Sequence, residues 1–444
     1  MAQLWKSDLN AGLQQQLHKF NRSLDIDFKL WKYDIQGSLG HVHMLYHSGL
    51  LNELLYKKLT KGLQELSEEI AQGKHTPLQS DEDIHGFIER LMVEKVGPEG
   101  SNIHLGRSRN EQVLLDVTLF LKEAAISASA GIKKCISFMK KLSKKSNELC
   151  MPSFTHLQRA QPIFVSQYCE AHIAMWERTL LSLQHYQQRL EVECPMGAGA
   201  INGTTFSTQP ALEASYHGFQ KSSVNSLATV SMRHNITEFI SIMNQWVLDL
   251  SRLMEDFILW NSQEFSYVEF SKQVTTGSSM MPHKRNPDIC ELIRGQSSRT
   301  HGALTGCLFL LKNLSMGYMK DLQEDKRFLF EVWEATENCL EALPILLDNM
   351  SWNQAELDAA VSDPLLLATD IMEWIVECEG KPMREAHHIM AGLVNSATVQ
   401  GENLLDVTQK AYPKFPANEF TVKKSCKKRM KKKLNQFNRE LYRV

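Results

Sequence analysis

The sequence of 444 residues predicts an all-α protein built round a bundle of long helices, and three observations predict it. First, breakers are scarce across the middle of the chain. Gly131 is the single Gly or Pro between Glu111 and Pro152, and there is none between Pro162 and Pro195 or between Gly218 and Gly277. Second, Ile236, Phe239, Met243, Trp246, Leu250, Leu253, Phe257 and Trp260 follow a 3-4-3-4 spacing, the apolar seam of a long packed helix. Third, no stretch alternates convincingly in the manner of a strand. Ile240, Val247 and Met254 widen the seam, which predicts burial on several sides and a bundle completed by other subunits.

The elements follow in order. The first hundred residues read as helical, with an apolar-periodic run from Leu24 to Leu55 behind Lys19-Phe20-Asn21-Arg22-Ser23. Ser80 and Asp83 resemble a capping box at the next helix. Val96-Gly97-Pro98-Glu99-Gly100 breaks the chain before the long helices begin. Met151 to Pro162 and the glycine-rich Pro195 to Thr205 read as junctions between them. Beyond Asp288 the pattern is helical to about Leu314, and Pro344 to Asp363 reads as a transition into a smaller unit. That unit holds the helical patterns Ala368 to Val376 and Met383 to His388. Three domains are expected: an N-terminal helical domain at 1–106, a central long-helix domain at 107–350 and a C-terminal helical domain at 351–444.

Composition bounds the function. Hydrophobic residues make up 43% and charged residues 23%, ordinary for a globular protein, and the net charge of −2 argues against general nucleic-acid affinity. Met1 to Asp8 lacks the apolar core of a signal peptide, and no stretch approaches the roughly 20 apolar residues of a membrane span. The nine scattered cysteines, without a Cys-x-x-Cys pair, read as thiols in a reducing cytoplasm and not as disulfides or zinc ligands. The tail from Lys423 to Lys433 is basic and reads either as a solvated helix face or as a contact for RNA.

The densest chemistry lies in Gly277-Ser278-Ser279-Met280-Met281-Pro282-His283-Lys284-Arg285-Asn286-Pro287-Asp288. It reads as a mobile hydroxyl-bearing loop that runs into a helix start suited to a carboxylate or phosphate, or as a surface turn with solvated charges. Arg107, Ser108, Arg109, Asn110 and Gln112 crowd one junction. They read as a carboxylate-holding set, or as ion pairs such as Arg109 with Glu111. Thr155 and His156 offer a hydroxyl donor and a proton carrier near neutral pH, or a structural pair. Ser23 reads as a helix cap, and Asp83 either as a cap or as a partner for a cationic group. Tyr318, Gln323 and Lys326 face one ligand or begin an ordinary helix.

Gly277 to Asn286 matches the Gly-Ser-x-x-Met-x-x-Lys-x-Asn signature of the fumarase/aspartase superfamily at every fixed position. The whole chain resembles its argininosuccinate lyase branch, through Lys19–Ser23, Trp31–Ser38, Asp81–His85, Arg107–Gln112, Met151–Pro162, Asp321–Lys326, Pro364–Asp370 and Arg384–His387. The resemblance implies a cytoplasmic homotetramer with a central bundle and active sites built from three subunits. It implies reversible elimination of argininosuccinate to fumarate and L-arginine, without metal or organic cofactor. It casts Ser278 and His156 as the proton-transfer pair, with Ser278 as base, and Lys284 as the loop lysine. Ser23, Asn110, Thr155, Asn286, Tyr318, Gln323 and Lys326 match substrate contacts, Arg109 belongs to the carboxylate-holding segment, and Asp83 partners the arginine end.

The chain departs from that pattern in places. Trp5 is followed by Lys6-Ser7-Asp8 where the family has Gly-Gly-Arg-Phe, and His104-Leu105 stands for His-Thr. Ser231-Met232-Arg233-His234 lacks both acids of the family's Ser-Asp-Arg-Asp, a segment that shapes the arginine side. His283 and Arg285 resemble adenylosuccinate lyase, so a sister fumarate-releasing lyase is the alternative. A catalytically silent protein on the same scaffold is a further one.

Overall fold

The computed structural model describes residues 11–146 and 148–441. The Trp5-Lys6-Ser7-Asp8 departure lies outside the described residues. Helices α1 (Ala11–Asn21), α2 (Leu24–Asp27), α3 (Trp31–His47), α4 (Glu53–Ala71) and α5 (Ile84–Val96) come first. Helix α6 (Arg109–Lys145) leads to strands β1 (Cys150–Thr155) and β2 (Gln158–Phe164), then α7 (Val165–Leu190). Strand β3 (Glu193–Cys194), α8 (Pro210–Tyr216), β4 (Lys221–Ser222) and α9 (Ser226–Ser231) precede α10 (His234–Asn261). Strands β5 (Val268–Phe270), β6 (Thr276–Gly277) and β7 (Arg285–Asn286) lead into α11 (Asp288–Leu311). The rest is α12 (Asp325–Asp348), β8 (Met350–Trp352), α13 (Gln354–Val361), α14 (Ala368–Glu379), α15 (Met383–Gln400), α16 (Leu404–Ala411) and α17 (Val422–Leu441). The strands pair only in twos: β1–β2, β5–β8 and β6–β7 antiparallel, and β3–β4 parallel. The architecture is all-α, as expected.

The seam of α10 is buried along its whole length. Ile236 and Trp260 are at most 5% exposed, and every seam residue between them is fully buried. Burying each such Leu, Ile or Phe contributes about 1.5–3 kcal/mol. Helix α6 runs through Gly131 without a break. Other readings need correction. The run from Leu24 to Leu55 is not continuous: α3 ends at His47, and Asn52 caps α4 by accepting the Leu55 N–H at 2.9 Å. The stretch between Gly218 and Gly277 holds the helices α9 and α10 and the strands β4 and β5, and β6 begins at its end. Pro344 is not a boundary but lies inside α12. Proline offers no N–H to the carbonyl four residues back, and that carbonyl, Leu340 O, accepts the Cys135 thiol at 4.0 Å.

The chain packs as two compact units. The first comprises Met1–Ile132, Arg178–Leu248 and Gly295–Cys339; the second comprises Lys133–Glu177, Asp249–Arg294 and Leu340–Val444. In the first unit, α3, α4 and α5 enclose a core of Ile35, Val42, Leu45, Leu59, Leu63, Phe87, Ile88 and Leu91. Gly62 permits this approach, because a Cβ there would meet Val96 Cγ2 at 2.9 Å. In the second unit, α14, α15 and α16 pack round Ile371, Ile375, Met390, Leu404 and Phe415. A smaller core joins Cys150 and Phe164 of the β1–β2 pair to Val361 and Cys426. The base of that hairpin is therefore fixed while its tip is exposed.

Candidate functional site

In the first unit the segment 107–112 forms the start of α6. Ser108 and Glu111 make a reciprocal cap: Ser108 Oγ accepts the Asn110 N–H at 3.2 Å, and Glu111 Oε1 accepts the Ser108 N–H at 3.0 Å. Glu111 Oε2 accepts the N–H groups of Gly197 and Gly199, each at 2.8 Å. Burial raises the Glu111 carboxyl above the usual range, opposed by the Ser108 and Gly199 amides. The glycine-rich loop thus spends two of its backbone donors on Glu111 and not on a ligand. Asn110 Nδ2 donates to Ala200 O of the same loop at 3.0 Å.

The Arg109–Glu111 pair, the alternative reading of this segment, does not form. Arg109 instead donates to Asp83 Oδ2 at 2.8 Å. Asp83, and not Ser80, is the N-cap of α5, accepting the Gly86 N–H at 2.8 Å. Asp83 is therefore both cap and ion-pair partner.

A second cluster in the same unit gathers Ser23, Tyr318, Gln323 and Lys326. Ser23 stands at the N-cap position of α2 but makes no capping bond; its hydroxyl donates to Asp27. Lys326 is buried, with Nζ at 3.2 Å from Asp325 Oδ1 and 4.0 Å from Asp27 Oδ1. Burial pulls the Lys326 ammonium down, but Asp325 and Asp27 outweigh it and hold it above its usual value. Burial raises the Asp27 carboxyl, against the pull of Lys326. Arg233 Nε donates to Asp325 Oδ2 at 2.6 Å, and its guanidinium lies over the Tyr318 ring at 5.9 Å. Gln323 Nε2 donates to Asn21 O at 3.3 Å. Beside Gln323 opens a cavity of about 1400 Å³, lined by Lys19, Arg22, Lys320 and Arg327 and by the acids Asp25, Asp321 and Glu324. Arg22 pairs with Asp25, Lys320 with Glu82 and Arg327 with Glu324, so its charges are largely matched.

Asp27 and Asp325 were not foreseen as members of this cluster. Each looks like an ordinary helical charge in sequence; the fold brings Asp27 to Lys326 across some 300 positions and Asp325 to Arg233 across 92. Arg233 keeps a buried partner in Asp325, although its sequence neighbours Met232 and His234 supply no carboxylate.

In the second unit, Met151 to Pro162 is not an irregular junction. It forms most of the β1–β2 hairpin, in which Pro152 faces Pro162 and Thr155 faces Gln158. His156 and Leu157 are the two turn residues, with φ of 54° and 57°. This backbone favours Gly, Asn or Asp, and neither residue is one of them. Strain of this kind clusters at functional positions. Thr155 and His156 are exposed, and Leu157 is 73% exposed. Arg159 Nη1 braces the hairpin, donating to Ala360 O at 3.2 Å.

Also in the second unit, Gly277 pairs with Arg285 and Thr276 with Asn286, closing the ends of the signature loop. Ser278 is half-buried, and its Oγ accepts the N–H groups of Met280 at 3.2 Å and Met281 at 3.0 Å. Those contacts leave the hydroxyl hydrogen free to donate. Lys284 is exposed and Asn286 half-buried. The helix start offered to an anion is already acidic: α11 carries Asp288 and Glu291 in its first turn, and Thr276 donates to Asp288. Among the described residues no hydrogen bond joins Ser278 to His156.

Comparison with known proteins follows this geometry. A family model described as Lyase matches residues 13–302, and one described as Argininosuccinate lyase C-terminal matches residues 365–436. The argininosuccinate lyase of Bacillus anthracis is 38% identical over 418 residues, 94% of this chain and 90% of that protein. That of Lachnospira eligens is 36% identical over 391 residues, 88% of this chain and 85% of that protein. Among solved structures, EDDS lyase in complex with formate superposes with a TM-score of 0.74 at 23% identity, covering 88% of this chain and 78% of that one. Fumarate lyase:delta crystallin from Brucella melitensis, bound to cobalt, superposes with a TM-score of 0.74 at 16% identity, covering 93% and 94%.

Proposed function

The chain belongs to the argininosuccinate lyase family of the fumarase/aspartase superfamily, and on that premise we propose how its residues carry the reaction. It is a carbon–nitrogen lyase of arginine biosynthesis, splitting argininosuccinate reversibly into fumarate and L-arginine. The observation that carries the assignment is the match to curated relatives over most of the chain. The Lyase model alone encloses both His156 and Ser278.

Elimination needs a base for the proton beside a carboxylate, stabilisation of the dianionic intermediate, and an acid at the departing guanidinium nitrogen. Ser278 takes the proton and His156 serves the acid side. A neutral serine is a weak base, so Ser278 must first give up its own hydroxyl proton inside a positive, water-excluded pocket, which closure of the loop over substrate provides. Lys284 and Asn286 stabilise the developing charge. Thr155, Asn110 and Arg109 hold carboxylates. Ser23, Tyr318, Gln323 and Lys326 hold the amino-acid end, and Asp83 adds negative charge on the arginine side. The Met280 and Met281 N–H groups donated to Ser278 Oγ, which favour its deprotonated form, and the exposed tip at His156 support these roles.

The assembly is a cytoplasmic homotetramer with active sites shared between subunits. Ile126, Leu181, Leu248, Leu308 and Phe309 stand exposed on long helices and support it. No helix among the described residues is long and apolar enough to cross a membrane. We further propose three folding domains, 1–106, 107–350 and 351–444, which limited proteolysis tests.

The deciding experiment follows fumarate release from argininosuccinate by ultraviolet absorbance, with light scattering on the same sample. Ser278→Ala should lose about a thousandfold in turnover while the tetramer persists. Near-normal turnover removes Ser278 from the chemistry, and an active monomer removes the shared sites.

A further inference from the structure

Behind the first turns of α5 and α6 lies a buried polar network that the reaction does not use. Asp34 of α3, His85 of α5 and Asp116 of α6 are at most 4% exposed, and one side-chain atom from each lies within 4.8 Å of the others. His85 Nδ1 meets Asp34 Oδ2 at 2.5 Å and Asp116 Oδ2 at 3.6 Å. Gln112 Nε2 donates to Asp34 Oδ2 at 2.8 Å. Asp34 is therefore engaged twice. Asp116 is fully buried, neither of its oxygens meets an N–H or O–H donor, and the side chain it interacts with is the Asp34 carboxyl. Asp116 Oδ1 lies against α3, 3.4 Å from where a Cβ on Gly37 would be.

Two neighbouring carboxylates buried in this way do not both ionise, because each charge raises the cost of the other. Arg107 supplies one positive charge. Its Nη2 donates to Ser38 Oγ at 3.1 Å, while Nε and Nη1 have no partner. Arg107 is the one permanent positive charge facing the pair, and His85 leans on Asp34, at 2.5 Å against 3.6 Å from Asp116, so the negative charge is held on Asp34 and Asp116 is left neutral. The other groups facing the pair do not favour charge on Asp116. Burial, reinforced by Arg107, keeps His104 neutral, and Asp27 adds only negative charge. The engaged Asp34 keeps its charge through His85 and Arg107 despite burial, whereas burial and Asp34 hold the Asp116 proton on.

We propose that Asp34 and Asp116 share one proton, with Asp116 the acid, and that Asp116 is a positioning residue for the substrate end of this unit. The pair joins α3 to α6 and, through His85, to α5. The first turns of α5 and α6 are the ones that present Asp83, Arg109 and Asn110. Asp116 therefore sets the spacing of groups that hold substrate without touching it. A divalent cation in place of the proton would face Arg107 at close range, which favours the proton.

This inference rests on the argininosuccinate reading, so the wild-type protein is first shown to release fumarate. An inactive wild type sinks that reading and not the shared proton. Asp116→Ala should then raise KM for argininosuccinate about tenfold with a smaller change in kcat, and the isosteric Asp116→Asn should restore KM to within about threefold of wild type. Infrared difference spectra at pH 8 should show a protonated carboxyl stretch in the wild type that Asp116→Asn lacks. That spectrum and Asp116→Asn decide the matter if Asp116→Ala does not fold. An Asp116→Asn protein as impaired as Asp116→Ala, an unchanged carboxyl band, or stoichiometric metal in the purified wild type that Asp116→Asn loses would each overturn the proposal.

Discussion

Arg109 donates to Asp83 at 2.8 Å, and Asp83 caps α5 with its other oxygen. One carboxylate therefore fixes the starts of two helices. Asp83→Asn keeps a capping side chain and loses only the ion pair, which for a partly exposed arginine is worth about 1 kcal/mol or less. Asp83→Ala loses the cap as well, a further cost of about 1 kcal/mol. Urea denaturation should rank the variants in that order. Equal losses would mean that the cap contributes nothing.

The Arg233–Asp325 pair is buried on both sides, at 1% and 4% side-chain exposure. Asp325→Ala strands the Arg233 guanidinium and removes the nearer carboxylate from Lys326. The expected loss is about 3–5 kcal/mol of folding stability, read from denaturant midpoints. A loss under about 1 kcal/mol would show that water reaches the pair in solution.

Leu157 occupies a left-handed turn position at φ 57° with its side chain exposed. Asparagine tolerates that backbone better, so Leu157→Asn should stabilise the protein by about 0.5–1 kcal/mol. Thermal melting tests this. A destabilised variant would show that Leu157 has a packing role which outweighs its backbone.

Burial, helped by Arg252, lowers the His172 imidazole to about 4. The unfolded chain binds a proton near pH 6.5, while the native protein stays unprotonated until about pH 4. Stability is therefore complete above pH 6.5 and falls as pH drops across that window, by up to about 1.4 kcal/mol per pH unit. His172→Gln should flatten this slope in urea titrations at pH 7 and pH 5. An unchanged slope would assign acid sensitivity to other groups.

The long helices were legible because their signal is local and repeated: the α10 seam spans eight turn-spaced apolar residues, and all of them are buried. The signature loop was legible because its spacing is fixed. The hairpin at Cys150–Phe164 was not. Its turn, Thr155-His156-Leu157-Gln158, carries no Gly or Asn, and its burial follows packing on neighbouring helices and not alternation. The electrostatic partners were equally hidden. Arg109 has Glu111 two residues away but turns to Asp83, because Glu111 is committed to Gly197 and Gly199. Asp27 reads as a helix-surface charge until Lys326 is brought beside it by the fold.

The two-residue turn at His156 has an evolutionary consequence. With Thr155 paired to Gln158, no spare position exists at the tip. A single inserted residue would lengthen the loop to three and turn His156 away from its present direction. The segment should therefore accept changes of residue far more readily than changes of length. A length-scanning library selected for arginine prototrophy should recover replacements at Leu157 and no insertions between Thr155 and Gln158.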